Sequence, residues 1–155
     1  MSSNQNNELV DVLAGIKLFE NMNREELGVI ADLLEMKKIE ASKEIFQEGD
    51  PGGNMFVIGN GTVEVQKNRS HGSGRVVIAR FESGGLIGEM SLIDGMSRSA
   101  TAVAITPTTY YCLSKASLEN LFENHKDISI KFLSDLAMLI SLRLRNTSGW
   151  FADVF

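Results

Sequence analysis

The sequence predicts an α+β protein, mainly β, in which an antiparallel barrel or sandwich of short strands lies between helical ends. Three observations carry that prediction. Short apolar runs, several strictly alternating, fill the middle of the chain; clusters of turn residues separate them; and apolar stripes at helical spacing occupy both ends. With 155 residues the chain has the length of one domain with one core.

Residues 1–8 form a polar stretch, expected to be a disordered tail. Leu9, Val10, Leu13 and Ile16 then mark a short amphipathic helix. A second helix opens at Asn23, which with Glu26 has the pattern of a capping box, and Leu27, Ile30, Ala31 and Leu34 form its apolar stripe. These N-terminal helices are expected over 9–36. Strands are expected at Glu44–Gln47, Met55–Ile58, Thr62–Lys67, Val76–Phe81, Ala100–Ile105 and Thr109–Leu113, within a β region over 37–113. The intervening turns are 48–53, 59–61, 68–74, 83–85 and 106–107. Gly59-Asn60-Gly61 between two alternating runs predicts a tight hairpin, glycine supplying the positive φ such a turn needs.

Helical spacing returns at Ser114, and helices are expected over 114–148: a short one carrying Leu118, Leu121 and Phe122, then a long one from about Lys126 to Asn146. On a helical wheel Ile128, Leu139, Phe132, Leu136, Ile140, Leu133, Leu144, Ala137 and Ile130 span about 200°, twice the roughly 100° that faces a single core. The expectation is a helix packed on its own strands on one side and on a second copy of the chain on the other. A helix buried within a monomer gives a wide arc too. Arg143 is the one charge inside it.

Bulk properties exclude several classes. A net charge of -5 argues against coating nucleic acid or membrane, because nonspecific binding to either needs an excess of Lys and Arg. Cys112 is the only cysteine, so neither an internal disulfide nor a cysteine-based metal site forms, and a reducing cytoplasm fits. The N-terminus lacks the basic and then apolar pattern of a signal peptide, and no apolar run reaches the roughly 18 residues that cross a membrane. The expected location is cytoplasmic.

The chemistry concentrates in Gly88–Ala102, GEMSLIDGMSRSATA. A short helical turn starting at Glu89 offers unpaired N–H groups to an anion, and Gly88 removes the side chain that would block the approach. Arg98 follows ten positions later among Ser97, Ser99 and Ala100, small neighbours that leave a guanidinium room to meet a phosphate through two parallel hydrogen bonds. Glu89, when ionised, only accepts hydrogen bonds, so beside a phosphate it needs a hydroxyl to receive. A carboxylate and an arginine across one pocket therefore suit a sugar hydroxyl and a phosphate on the same ligand.

Gly88-Glu89-Met90-Ser91-Leu92, a six-residue stretch ending at Arg98, and then Ser99-Ala100-Thr101 resemble the phosphate-binding cassette of cyclic-nucleotide-binding domains. The family includes sensor domains of catabolite-activator-type regulators and of cAMP-dependent protein kinase regulatory subunits. The resemblance implies an antiparallel double-stranded β-roll, jelly-roll-like, flanked by N- and C-terminal helices, with the cassette over 86–102 in a single domain over 9–155. It also implies site roles. Arg98, Ser99, Ala100 and Ser91 would bind the phosphate; Gly88, Glu89 and Met90 the ribose; Val65, Ile78 and Ile87 would line the base pocket. Arg143-Leu144-Arg145-Asn146-Thr147-Ser148 resembles the stretch where the long helices of catabolite-activator-type dimers meet the base, which adds Arg143, Thr147 and Ser148 to that lining. Trp150 and Phe151 stand where some members carry a lid over the purine. The implied ligand is cAMP, with cGMP the alternative, because family members preferring cGMP often carry Thr where Ser99 stands.

No catalysis, metal or cofactor is expected, since His71 falls in a polar loop and His125 between helices. The chain as given leaves no room after the long helix for a helix-turn-helix module, so no nucleic-acid or membrane binding is expected of it alone. Besides a sensor acting as a homodimer, two readings stay open. One is the sensor half of a transcription regulator whose DNA-binding part lies elsewhere; the other is a ligand-independent dimerisation domain.

Overall fold

Alternation and capping decide where each element starts. In the computed structural model, which describes residues 3–152 and their side chains over 6–147, α1 (Ser3–Ala14) is followed by a single 3-10 turn (Lys17–Phe19) and α2 (Arg24–Leu33). Asn23 caps α2 as the spacing predicts: its side chain accepts from the Glu26 N–H at 3.0 Å, and the Glu26 carboxylate accepts from the Asn23 N–H at 2.8 Å. Eight strands and a short helix come next: β1 (Leu34–Ile39), β2 (Glu44–Phe46), β3 (Asn54–Asn60), β4 (Val63–Asn68), β5 (Arg75–Phe81), β6 (Leu86–Ile87), α3 (Glu89–Asp94), β7 (Thr101–Ala104) and β8 (Thr108–Ser114). Ser114 caps α4 (Lys115–Asn124), accepting from the Ser117 N–H at 3.0 Å, and α5 (Lys126–Ala152) completes the order.

The strands form two antiparallel four-stranded sheets, ordered β1-β8-β3-β6 and β2-β7-β4-β5. This is the β-roll flanked by helices. β3 lies inside the first sheet and is buried on both faces, which explains why Met55–Ile58 is a continuous apolar run instead of an alternating one. Met55 and Val57 face the helices, joining Leu13, Ile30, Leu121, Phe132 and Leu136 in the larger core. Phe56 and Ile58 face the other sheet, joining Val63, Ile87, Ala102 and Tyr110 in the smaller one.

Three expectations are corrected. The polar stretch before Leu9 is helical from Ser3, so it is not a disordered tail over the described residues; Asn6 ties it to α2 by donating to Asp32 at 2.8 Å. The second helix stops at Leu33 instead of reaching residue 36, and Leu34–Ile39 is a strand pairing with β8 from Leu34↔Leu113 to Ile39↔Thr108. No glycine or proline marks that switch; Leu34 serves both as the last apolar residue of the helical stripe and as the first of the strand.

Gly59-Asn60-Gly61 is not a hairpin. β3 pairs with β8 and β6, whereas β4 pairs with β5 and β7, so this tripeptide carries the chain from one sheet to the other. Both glycines serve close approach. A Cβ on Gly59 would lie 2.7 Å from the Tyr111 ring, and one on Gly61, at φ +103°, would lie 2.4 Å from the Thr108 hydroxyl and 2.8 Å from the Pro107 carbonyl. Gly61→Ala is therefore expected to destabilise the fold by at least about 2 kcal/mol, combining backbone strain with displacement of the β8 entry. Urea denaturation measures this, and a midpoint equal to wild type would contradict it.

Candidate functional site

The mouth between the two sheets, where β6 ends, is where the sequence's chemistry collects. β6 delivers Leu86 and Ile87, both buried, and Gly88 turns the chain into α3 at φ 77°. A side chain at position 88 would strike the Arg98 guanidinium, 2.6 Å from where the Cβ would stand, so glycine is needed for space as well as for conformation. Glu89 opens α3 and is buried, as are Ser91 and Leu92; Met90 is exposed.

Arg98 is brought back to this turn by reciprocal backbone bonds. Its N–H donates to Asp50 O and its carbonyl accepts from the Gly49 N–H, each at 2.8 Å. The loop after β2 thereby holds the arginine's backbone in place. Arg98 as a residue is 5% exposed, and its Nη1 donates to Gly88 O at 3.1 Å. Its Cζ lies over the Phe46 ring, 4.4 Å from the centroid, and 5.3 Å from the Phe56 centroid. Among the described residues it forms no ion pair, and its Nε is buried without a partner. Burial lowers its pKa, yet a guanidinium stays charged. A buried cation facing a cleft without a counter-ion is suited to an anion.

The cleft opens to solvent and offers about 170 Å³ of accessible volume. Gly88, Glu89, Met90, Ser91, Arg98, Ser99 and Ala100 line it, together with Val65, Ile78 and Ile87. Arg143 reaches it from α5. Thr147, one turn further on, does not line it; it is exposed, and its hydroxyl donates back to the Arg143 carbonyl at 2.9 Å. The side chains of Ser148, Trp150 and Phe151 lie outside the described residues.

Arg143 does more than line the cleft. Nη1 donates to the Glu89 carboxylate at 2.6 Å, Nη2 donates to Leu86 O at 2.7 Å, and Cζ lies 5.0 Å from the Phe81 ring centroid. The long helix is thus fastened to the residue expected to accept a sugar hydroxyl. Sequence reasoning missed Phe46, Ala79, Phe81 and Leu86 in the lining. Each belongs to an apolar run, and in a sequence nothing separates an aromatic that walls a cleft from one that fills a core.

Outside the cleft, Lys67 on β4 braces the cassette. Its Nζ donates to Ser99 O at 2.5 Å and to Glu48 at 2.6 Å, and Glu48 also accepts from the Asn68 N–H at 2.9 Å. The Lys67 hydrogen bond, then that of Asn68, holds the Glu48 carboxyl below its ordinary 4.5. No helix among the described residues is long and apolar enough to cross a membrane, and no group of three or more His, Cys, Asp and Glu among them could hold a metal.

With this geometry in hand, comparison with known proteins is decisive at the level of the family. The model of the cyclic nucleotide-binding domain matches residues 36–125, more than half of the chain. The chain belongs to the cyclic nucleotide-binding domain family. A cyclic nucleotide-binding domain from Methylobacillus flagellatus is similar at 31% identity and a TM-score of 0.86, over 98% of this chain and 85% of that one. Thermus thermophilus catabolite activator protein is similar at 27% identity and 0.79, over 88% and 62%. Among curated relatives, a cAMP-dependent protein kinase regulatory subunit of Blastocladiella emersonii is 26% identical over 129 residues, 81% of this chain and 32% of that protein. The chain spans about three-tenths of the length of the first curated relatives it matches.

The brace has a pH signature. A carboxyl whose folded pKa is depressed contributes stability that is complete above its unfolded value and is lost as pH falls through the folded one. Protection of the Ser99–Thr101 amides, measured as exchange relative to the intrinsic rate at each pH, is therefore expected to fall on acidification below about 4.5 in wild type, and less so in Glu48→Gln. An identical acid limb in both proteins would dismiss the brace.

Proposed function

We propose that this chain binds a 3′,5′-cyclic nucleotide in the cleft and relays its occupancy through α5, as a regulatory domain and not a catalyst. The observation that carries the reading is Arg98: a buried guanidinium without an ion-pair partner among the described residues, facing the same cleft as a buried carboxylate. Arg98 takes the cyclic phosphate, with Ser91, Ser99 and Ala100 completing the anion site. Glu89 accepts the ribose 2′-hydroxyl beside Gly88 and Met90. Val65, Ile78 and Ile87, with Phe81, enclose the base. The proposed ligand is cAMP ahead of cGMP, supported by Ser99 after the arginine and by the likeness to a cAMP-dependent kinase regulatory subunit.

The relay follows from the Arg143–Glu89 contact. A ribose hydroxyl brought to Glu89 changes what Arg143 meets there, so the ligand binds the two arrangements of α5 unequally and shifts their populations. A second reading, the sensor half of a transcription regulator, is favoured by the likeness to a catabolite activator protein.

α5 is also proposed to pair with a second copy. Ile128, Phe132 and Leu136 are buried against the domain, whereas Ile130, Leu133 and Ala137, at three- and four-residue spacing, are exposed. That second stripe has the periodicity of a helix–helix seam.

Calorimetry with cAMP and cGMP tests the site. Wild type is expected to bind one or both, and Arg98→Ala to bind about 10- to 100-fold more weakly, the loss due to a charged hydrogen-bonding partner. Absence of heat with either nucleotide sinks the reading, and undiminished binding by Arg98→Ala sinks the site. For the pairing, light scattering is expected to give a dimer for wild type and a monomer for Leu133→Glu, a substitution on the exposed stripe that leaves the buried Leu136 intact. A wild-type monomer at every concentration ends that proposal.

A further inference from the structure

We infer that Phe46 is the positioning residue for Arg98, its ring taking the place of the counter-ion that a buried cation ordinarily requires. This rests on the reading of Arg98 as the phosphate-binding group. Charged side chains at 5% exposure are almost always paired with an opposite charge. Arg98 is flanked instead by two aromatic rings and one carbonyl.

The arrangement has a consequence that an ion pair would not. A carboxylate bonds the edge of a guanidinium, which is where a phosphate must bond, so ligand and holder would compete. A ring attracts the cation through its π face without accepting a conventional hydrogen bond from it. The seat therefore holds Arg98 in place while leaving donors available: Nη1 spends one bond on Gly88 O, and Nε has no partner. It also leaves the charge unneutralised, so the cleft stays positive where the anion arrives. Asp50 and Glu89 act on Arg98 only at longer range, and a guanidinium released from the rings is drawn toward them and away from the ligand.

The seat is rigid because both sheets build it. Phe46 ends β2 in one sheet and Phe56 lies on β3 in the other; their rings stack at 5.7 Å and 23°, and Tyr110 braces Phe56 edge-on at 5.6 Å.

The test is a double-mutant cycle read by competition against a fluorescent cyclic nucleotide. Phe46→Leu is expected to weaken cAMP binding about tenfold, the size of a desolvated cation–π contact, and Phe46→Tyr to restore it. In a chain already carrying Arg98→Ala, adding Phe46→Leu is expected to change affinity by less than about twofold. An equal loss in both backgrounds, or wild-type affinity in Phe46→Leu, overturns the inference. A second readout needs no ligand. In the nitrogen-15 spectrum of the unliganded protein the Arg98 Hε is expected upfield from ring current, moving to an ordinary arginine position in Phe46→Leu and staying in Phe46→Tyr. An ordinary position in wild type overturns the seat. A protein that binds no cyclic nucleotide sinks the proposed function instead, and this spectrum then decides the seat alone, as it does if Arg98→Ala abolishes binding.

Discussion

Taking a guanidinium out of water is costly unless something holds its charge, and in this domain that requirement falls on Arg98. Much of the roll's local geometry near the cleft meets it. The two sheets close so that Phe46 and Phe56 stack beneath the cation. Gly88 lacks the Cβ that would strike it, and Gly49 and Asp50 clasp its backbone from the neighbouring loop. Lys67 pins the next carbonyl, that of Ser99. Closing the roll and orienting the arginine are therefore one packing problem, and a change that loosens the sheet mouth also loosens the site.

Glu89 presents the complementary constraint. It is nearly as buried as Arg98 but only accepts hydrogen bonds, and its donor comes from α5. Arg143 reaches it over Phe81. One arginine is thus left without a carboxylate and the other is given one. This asymmetry fits the proposed division of labour: Arg98 waits for an anion, and Arg143 registers whether Glu89 has another donor.

The two ends of that site were unequally legible in the sequence. The cassette is local: Gly88, Glu89 and Arg98 fall within eleven residues, so their types and spacing speak together. The capping box at Asn23 and most strands are local signals too, carried by hydrogen bonds and alternation within a few residues. What could not be read is pairing. Gly59 to Gly61 has hairpin chemistry, but whether the strands it joins are partners depends on β6 and β8, far away in the chain. β1 was hidden because a helical stripe ran into it without a breaking residue. Phe46 and Phe81 carry no mark of a cleft, since an apolar wall and an apolar core ask for the same residue. Arg143 did stand out, as a charge within an apolar arc, but its contact with Glu89 depends on how α5 crosses the roll.

The arc itself resolves into two stripes with different duties. Its N-terminal half is anchored: Phe132 stacks on Phe19 at 6.3 Å, Lys131 bonds Glu26, and Asp135 accepts from Asn21 at 2.8 Å. Eleven residues beyond Phe132, or about 16 Å along a helix, Arg143 grips the cassette. A stiff rod anchored at one end turns a small tilt there into a larger displacement at the other, and hydrogen bonds tolerate little displacement before they break. The same rod bears Ile130, Leu133 and Ala137 on its outward side. The outward stripe lies on the anchored turns and the cassette contact beyond them, so a tilt of α5 at Arg143 pivots about the stripe. On the proposed reading, whatever sits between Arg98 and Glu89 is felt along the surface where a second copy would pack.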